Sequence, residues 1–238
     1  AIRDQLGPGL LGMDPLNISA ALDRMDRIVE GHLEAKAAIE MALFDLKGRS
    51  LSVPVHSLLG GRLRDEILLN AWIGLLSPDE AAREARRWLE QGFRSAKIKA
   101  GSGVERDRER VGAVRGAVGK AMDLRVDANE AYTVEEAIRL GRALRPLDVF
   151  LLEQPVGRHD LEGMAKVRRA VEIPIMADET VLSPTDTFRV AAHYYADHIN
   201  IKLMKAGGLT NAVRINIIAE AGEIETMAGC MDESVISI

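Results

Sequence analysis

The sequence predicts an α/β fold of the (β/α) TIM-type barrel kind, and three observations carry that expectation. From about Glu66 onward, short apolar runs alternate with longer helical stretches. The alternation recurs every ~25–30 residues, the length a βα unit needs to return a parallel strand. Charged and amide side chains collect at the C-terminal ends of the runs, where barrel enzymes carry their sites. A doubly wound sheet would also alternate, but rarely with so even a rhythm.

Taken in order, residues 1–61 read as helical. Asp14-Pro15 and Asn17 offer a start signal, and Leu16, Ala20, Met25, Ile28 and Val29 fall near helical spacing. A second helix is expected with Ala35, Ala38, Ile39, Ala42, Leu43 and Leu46 on one face and Gly48 near its end. Val53-Pro54-Val55 and Leu59-Gly60-Gly61 close this section, which has no strand to pair and reads as the remnant of a neighbouring domain. Residues 62–238 are expected to form the barrel. Its strands are predicted at Ile67–Ile73, Ser95–Lys99, Leu124–Ala128, Val149–Glu153, Pro174–Ala177, Ile199–Leu203 and Glu225–Ala228. They are short and apolar, as strands covered on both faces should be. Ser77-Pro78-Asp79-Glu80 is a capping box with proline at the first helical position. Thr133-Val134-Glu135-Glu136 and Ser183-Pro184-Thr185-Asp186 open two further helices. Seven units can be counted, so the eighth is expected to lie outside this chain, which reads as a fragment at both ends.

Bulk properties narrow the function classes. The 238 residues carry a formal charge of −5 with no basic cluster, which argues against a nucleic-acid partner. No apolar run is long enough to cross a membrane, and Ala1-Ile2-Arg3-Asp4 does not resemble a secretory leader. A lone cysteine, Cys230, rules out an internal disulfide framework and suits a reducing compartment, so a cytoplasmic location is expected.

The chemistry lies at the strand ends. The second strand closes on Lys97-Ile98-Lys99, the third on Asp127-Ala128-Asn129, and the fourth on Glu153-Gln154-Pro155. The fifth closes on Asp178-Glu179, the sixth carries Lys202, and the seventh runs into Asp232-Glu233. In a barrel, strands three to five are neighbours, so Asp127, Glu153 and Asp178 should converge on one small volume. Three desolvated carboxylates cannot all stay ionised without a cation. Oxygen donors without Cys or His point to Mg²⁺ or Mn²⁺. Lys99 and Lys202 should flank that cation from opposite sides. A lysine beside other positive charge gives up its proton more readily and can serve as a base. Lys97, two residues before Lys99, points to the same side and could supply that charge.

These motifs, with Met176-Ala177-Asp178-Glu179, Asn200-Ile201-Lys202 and Lys205-Ala206-Gly207-Gly208, resemble the enolase superfamily, muconate lactonizing enzyme subgroup. The resemblance runs from about Leu33 to the end, in the family's order and spacing. It implies a modified barrel, whose eighth unit is missing here, beside the helical part of an N-terminal α+β capping domain. It further implies that Asp127, Glu153 and Asp178 are metal ligands. Lys99 matches the base on one face of the substrate, with Lys97 as its electrostatic partner, and Lys202 the acid/base on the other. Asn129 and Glu179 match residues that support the metal shell, and Glu233 aligns with a carboxylate found in some members. The shared step is abstraction of the proton α to a carboxylate, giving an enolate, with the metal as Lewis acid.

Each residue also has an ordinary explanation. Lys-x-Lys on a strand is usually a solvated edge, and Asp127 or Asp178 alone could cap a helix. Glu153 is harder to dismiss, because burying a lone carboxylate is costly. Lys205 is expected to face solvent or a carbonyl. His32, His56, His159, His193 and His198 lack metal-ligand spacing, and Cys230 reads as a small packed residue without a histidine to activate it. Trp72 and Trp88 read as core or interface.

The resemblance favours an isomerase of the racemase/epimerase type, closest in short motifs to dipeptide epimerases. A muconate-type cycloisomerase, an N-acylamino acid racemase or an o-succinylbenzoate synthase is the alternative, and a non-catalytic structural homologue is the reading from another class. A small carboxylate substrate (dipeptide, N-acylamino acid or diacid) and a homo-oligomer are expected.

Overall fold

A computed structural model describes residues 1–231. After short helical segments at Ile2–Leu6 and Gly7–Leu10, helices α1 (Ile18–Ile28) and α2 (Leu33–Leu51) form the N-terminal part. The Asn17 side chain accepts a hydrogen bond from Ala20 N at 3.3 Å, so α1 starts where its cap signal lies. Helix α2 turns a different face inward than its apolar spacing suggests. Lys36, Ala37, Glu40, Phe44 and Gly48 are buried, whereas Ala38, Ala42 and Leu46 are exposed. Polar pairing sets this choice. Glu40 accepts from Thr210 N at 3.2 and 3.3 Å, and Lys36 binds Asp26 at 2.7 Å.

The rest of the chain is a regular βα alternation. The strands are β1 (Ala71–Ile73), β2 (Ser95–Lys99), β3 (Asp123–Asp127), β4 (Val149–Glu153), β5 (Ile175–Ala177), β6 (His198–Lys202) and β7 (Glu225–Gly229). Between them run α3 (Pro78–Glu90), α4 (Val104–Val118), α5 (Val134–Leu144), α6 (Leu161–Ala170), α7 (Pro184–His193) and α8 (Leu209–Ala221). The expected capping box of Ser77 with Glu80 closes at α3, Thr133 with Glu136 forms a second at α5, and Ser183 caps α7. Strand β1 is shorter than expected. Ile67, Leu68 and Leu69 stay exposed, and pairing with β2 begins only at Ala71 with Ala96.

All seven strands are parallel and lie in sequence order in one sheet. The sheet curls strongly. Asn70, just before β1, brings its Nδ2 within 3.8 Å of Met227 Sδ on β7, and Arg125 of β3 reaches the same sulfur. The result is a half-barrel. Ile98, Leu124, Val126, Leu152, Ile175 and Ile199 pack outward against Val111, Val114, Leu140, Leu144, Met164, Val167, Val190 and Ile215 of the helices. Each such side chain contributes roughly 1.5–3 kcal/mol on burial. That apolar layer can carry a costly charged cluster elsewhere. Residues of the opposite pleat face inward, and the register sets Lys99 beside Asp127 and Asp127 beside Glu153.

Candidate metal centre

Three fully buried carboxylates meet at the C-terminal mouth of the sheet. Asp127 ends β3, Glu153 ends β4, and Asp178 follows β5, with ligand oxygens all within 4.8 Å of one another. Parallel strands in register deliver them there, since each is the last inward-pointing position of its strand or the one just beyond.

Lysines surround them. Lys97 Nζ lies 3.3 Å from both oxygens of Glu153 and 3.2 Å from Asp127 Oδ2. Lys99 Nζ lies 2.8 Å from Asp127 Oδ2 and 2.6 Å from Asn129 Oδ1. From the other side Lys202 binds Asp178 Oδ2, and Lys205 binds Asp178 Oδ1 at 2.8 Å. Asn129 Nδ2 donates to Glu179 at 2.9 Å, joining the two residues expected to support the shell. Every site residue picked out of the sequence is therefore gathered here, except Glu233, which lies outside the described residues.

The charges bear directly on one another. Burial and the neighbouring Asp127 charge push Glu153 up to about 7, against the pull of Lys97. Burial would lower Lys97, but Glu153 and Asp127 outweigh it and hold the ammonium above the usual lysine range. Burial and Asp178 raise Glu179. The donor set fits a hard divalent cation: three oxygens on one small volume, with no sulfur or imidazole. Crowding pushes Glu153 toward its neutral form, a strain that a cation would relieve.

Several contributors lie within the strand-end motifs but had no role of their own assigned there. Gln154, fully buried, accepts from Asp178 N at 2.9 Å and Thr180 N at 3.1 Å. It also donates to Val156 O and Thr180 Oγ1, both at 2.9 Å. These four bonds hold its backbone in the left-handed region at φ 36°, a conformation costing on the order of 1–3 kcal/mol. Asn200 Nδ2 donates to Glu153 Oε1 at 2.8 Å. Lys205 faces carbonyls, one of the two alternatives expected for it, but it also reaches into the site. It lies partly buried in the one-turn helix Leu203–Ala206, bonded to the Asp178 and Asn200 carbonyls and also to the Asp178 carboxylate. Its spacing of three from Lys202 was the available signal. Cys230 is exposed rather than packed. Trp88 packs against the core and donates to Trp72 O at 3.1 Å, while Trp72 is largely exposed.

Residues 80–238 match the family described as Enolase C-terminal domain-like, and residues 1–60 match the Mandelate racemase / muconate lactonizing enzyme, N-terminal domain. The chain belongs to the enolase superfamily, muconate lactonizing enzyme subgroup. It is 41% identical to the L-Ala-D/L-Glu epimerase of Bacillus subtilis strain 168, over 100% of this chain and 66% of that protein. It is similar to the N-succinyl Arg/Lys racemase structure from Bacillus cereus ATCC 14579, with TM-score 0.97 and 36% identity, over 99% of this chain and 64% of that one. A dipeptide epimerase structure from Enterococcus faecalis V583, complexed with Mg and the dipeptide L-Leu-L-Tyr, superposes with TM-score 0.94 at 39% identity, covering 98% and 66% respectively. The chain thus spans about two thirds of the length of these relatives.

Proposed function

We propose that this protein is an isomerase that moves the proton α to a substrate carboxylate, as a racemase or epimerase acting on dipeptides. The observation that carries this reading is the triad Asp127, Glu153 and Asp178 with Lys99 bonded to its β3 member and Lys202 to its β5-end member. The two amines come from β2 and β6, on either side of the carboxylates. Lys99 in its amine form takes the proton from one face of the α-carbon, and Lys202 as ammonium returns a proton to the other, inverting the centre. The roles exchange for the opposite epimer. Lys97, held as ammonium by Glu153 and Asp127, supplies positive charge beside Lys99. Asn129 and Glu179 orient Lys99 and the mouth of the site.

Asp127, Glu153 and Asp178 would hold Mg²⁺. When bound, the cation supplies Lewis-acid stabilisation to the negative charge that builds on the substrate carboxylate. Mg in the similar dipeptide-bound structure supports this assignment. We place residues 1–61 in a capping domain and residues 62–238 in a modified (β/α) barrel.

The test is α-proton exchange. The full-length protein with Mg²⁺ is incubated in D₂O with a dipeptide library, N-succinyl amino acids and muconate-type diacids, and deuterium at Cα is read by NMR. Exchange and epimerisation of a dipeptide support the reading; no exchange with any substrate would sink it. The similarity to the N-succinyl racemase favours a second reading, the same chemistry on an N-acylamino acid, which the second substrate arm separates.

A further inference from the structure

A second buried polar cluster lies behind Lys99, away from the carboxylate triad. Asp107 and Arg110, one turn apart near the start of α4, are almost wholly buried and form an ion pair. Tyr132, in the loop after β3, is also buried and donates its hydroxyl to Asp107. Burial and the Asp107 charge raise this phenol well above the ordinary tyrosine value, so it acts as a neutral donor.

The partners of the cluster are informative. Asp107 accepts from Gly101 N at 2.7 Å and from Ser102 N at 3.1 Å. Arg110 donates to Leu76 O at 2.6 Å, to Lys99 O at 3.2 Å and to Ser102 Oγ at 3.1 Å. One ion pair therefore ties together the chain leaving β1, β2 and β3. It grips β2 at the backbone of Lys99 itself.

Local sequence shows why such a grip is needed. Lys99 runs into Gly101-Ser102-Gly103, whose two glycines sit at φ 125° and 104°. That turn has little stiffness of its own, since glycine is free to occupy many conformations. Helix α4 also starts without a side-chain cap at Gly103. Asp107 reaches back from inside the helix and fixes the turn instead. For stability alone, a buried ion pair is a weak device that apolar packing replaces at no loss. For placing an amine against a substrate carbon it is well suited, because a displacement near 1 Å can cost about a hundredfold in rate.

Resting on the function proposed above, we infer that Asp107, Arg110 and Tyr132 are positioning residues that set the backbone of Lys99 and so serve proton transfer on its face only. They bond to backbone, to the Ser102 hydroxyl and to each other behind the site, and they have no bond to the triad or to Lys202.

The test compares wild type with Asp107→Asn and with the milder Tyr132→Phe, in the full-length protein. First, without metal or substrate, amide hydrogen exchange at Gly101 and Ser102 should rise about tenfold or more in Asp107→Asn, with the Lys202 segment unchanged. Unchanged protection at Gly101 and Ser102 would overturn the inference whatever the enzyme's activity. Second, with Mg²⁺, solvent deuterium exchange is measured separately from each epimer of one substrate, and Lys99→Ala identifies the epimer that Lys99 serves. Both brace variants should slow exchange from that epimer by roughly tenfold to a hundredfold, and from the other by less than about twofold. Equal slowing of both epimers, or slowing of neither, would mean a purely structural cluster. A wild-type protein that exchanges no substrate would instead count against the proposed function, while the amide measurement still decides the brace.

Discussion

Lys205 places its ammonium 2.8 Å from Asp178 Oδ1, while Lys202 holds the other oxygen of the same carboxylate. Burial alone would raise Asp178, but Lys205 and Lys202 outweigh it and hold the group down at about 2. Lys205 also satisfies the carbonyls of Asp178 and Asn200. Lys205→Met should therefore leave buried acceptors unpaired and cost about 1–3 kcal/mol of stability. A denaturant titration with an unchanged midpoint would show that Lys205 does not hold this corner of the site.

The two flanking lysines should fail differently from the metal ligands. Lys99→Ala and Lys202→Ala should each lower epimerisation by at least ~10²–10⁴-fold, the range for losing a positioned acid or base. Each should still exchange the α-proton of one epimer in D₂O, and not the same one. Full epimerisation by either variant would remove the two-base mechanism.

Loss of a metal ligand should affect binding before chemistry. Asp127→Asn, Glu153→Gln and Asp178→Asn should each weaken Mg²⁺ binding by more than about tenfold, read by calorimetry. Chelation with EDTA should stop exchange in the wild type, and Mg²⁺ should restore it. Activity that survives exhaustive chelation would contradict the carboxylate cage.

Crowding at Glu153 gives a pH signature. Its carboxyl rises from the ordinary 4.5 to about 7, so between those values the folded metal-free protein holds a proton that the unfolded chain has lost. The stabilisation is complete below 4.5 and disappears as pH rises through 7. Asp178 acts the other way, with its contribution present above 3.8 and lost as pH falls toward 2. Thermal melts in EDTA should thus show wild type losing stability relative to Glu153→Gln as pH rises from 4.5 to about 7, with little further change above that. Mg²⁺ should narrow the gap, since it binds only the folded form. A difference independent of pH would refute the assignment.

Gly208 tests the junction between α2 and the barrel. It sits at φ 123°, and a Cβ there would collide with the Glu40 carboxylate that caps α8 through Thr210 N. Gly208→Ala should destabilise by about 2 kcal/mol or more, and Gly208→Ala combined with Glu40→Ala by less than the sum of the two single changes. Additive effects in a double-mutant cycle would show that the two sites are uncoupled.

Much of this architecture could be read from residue order alone. Period, caps and strand-end charges defined the βα units, with β2 and β4 matching their expected limits residue for residue. They also picked out Lys97, Lys99, Asp127, Glu153, Asp178 and Lys202, because chemistry that needs carboxylates and amines leaves those residue types at strand ends. Spacing could not reveal contacts made across the fold. The inward face of α2 follows from Glu40 meeting Thr210, 170 positions away, and overrides the helix's own apolar periodicity. Gln154, Asn200 and Lys205 became part of the site only when parallel strands brought their side chains beside Glu153 and Asp178. The Asp107–Arg110–Tyr132 brace likewise exists only where three loops meet. Local sequence determines which segments become strands and helices and which charges they carry; the curled sheet decides which charges share a volume, and through desolvation and Coulomb coupling, what those charges do.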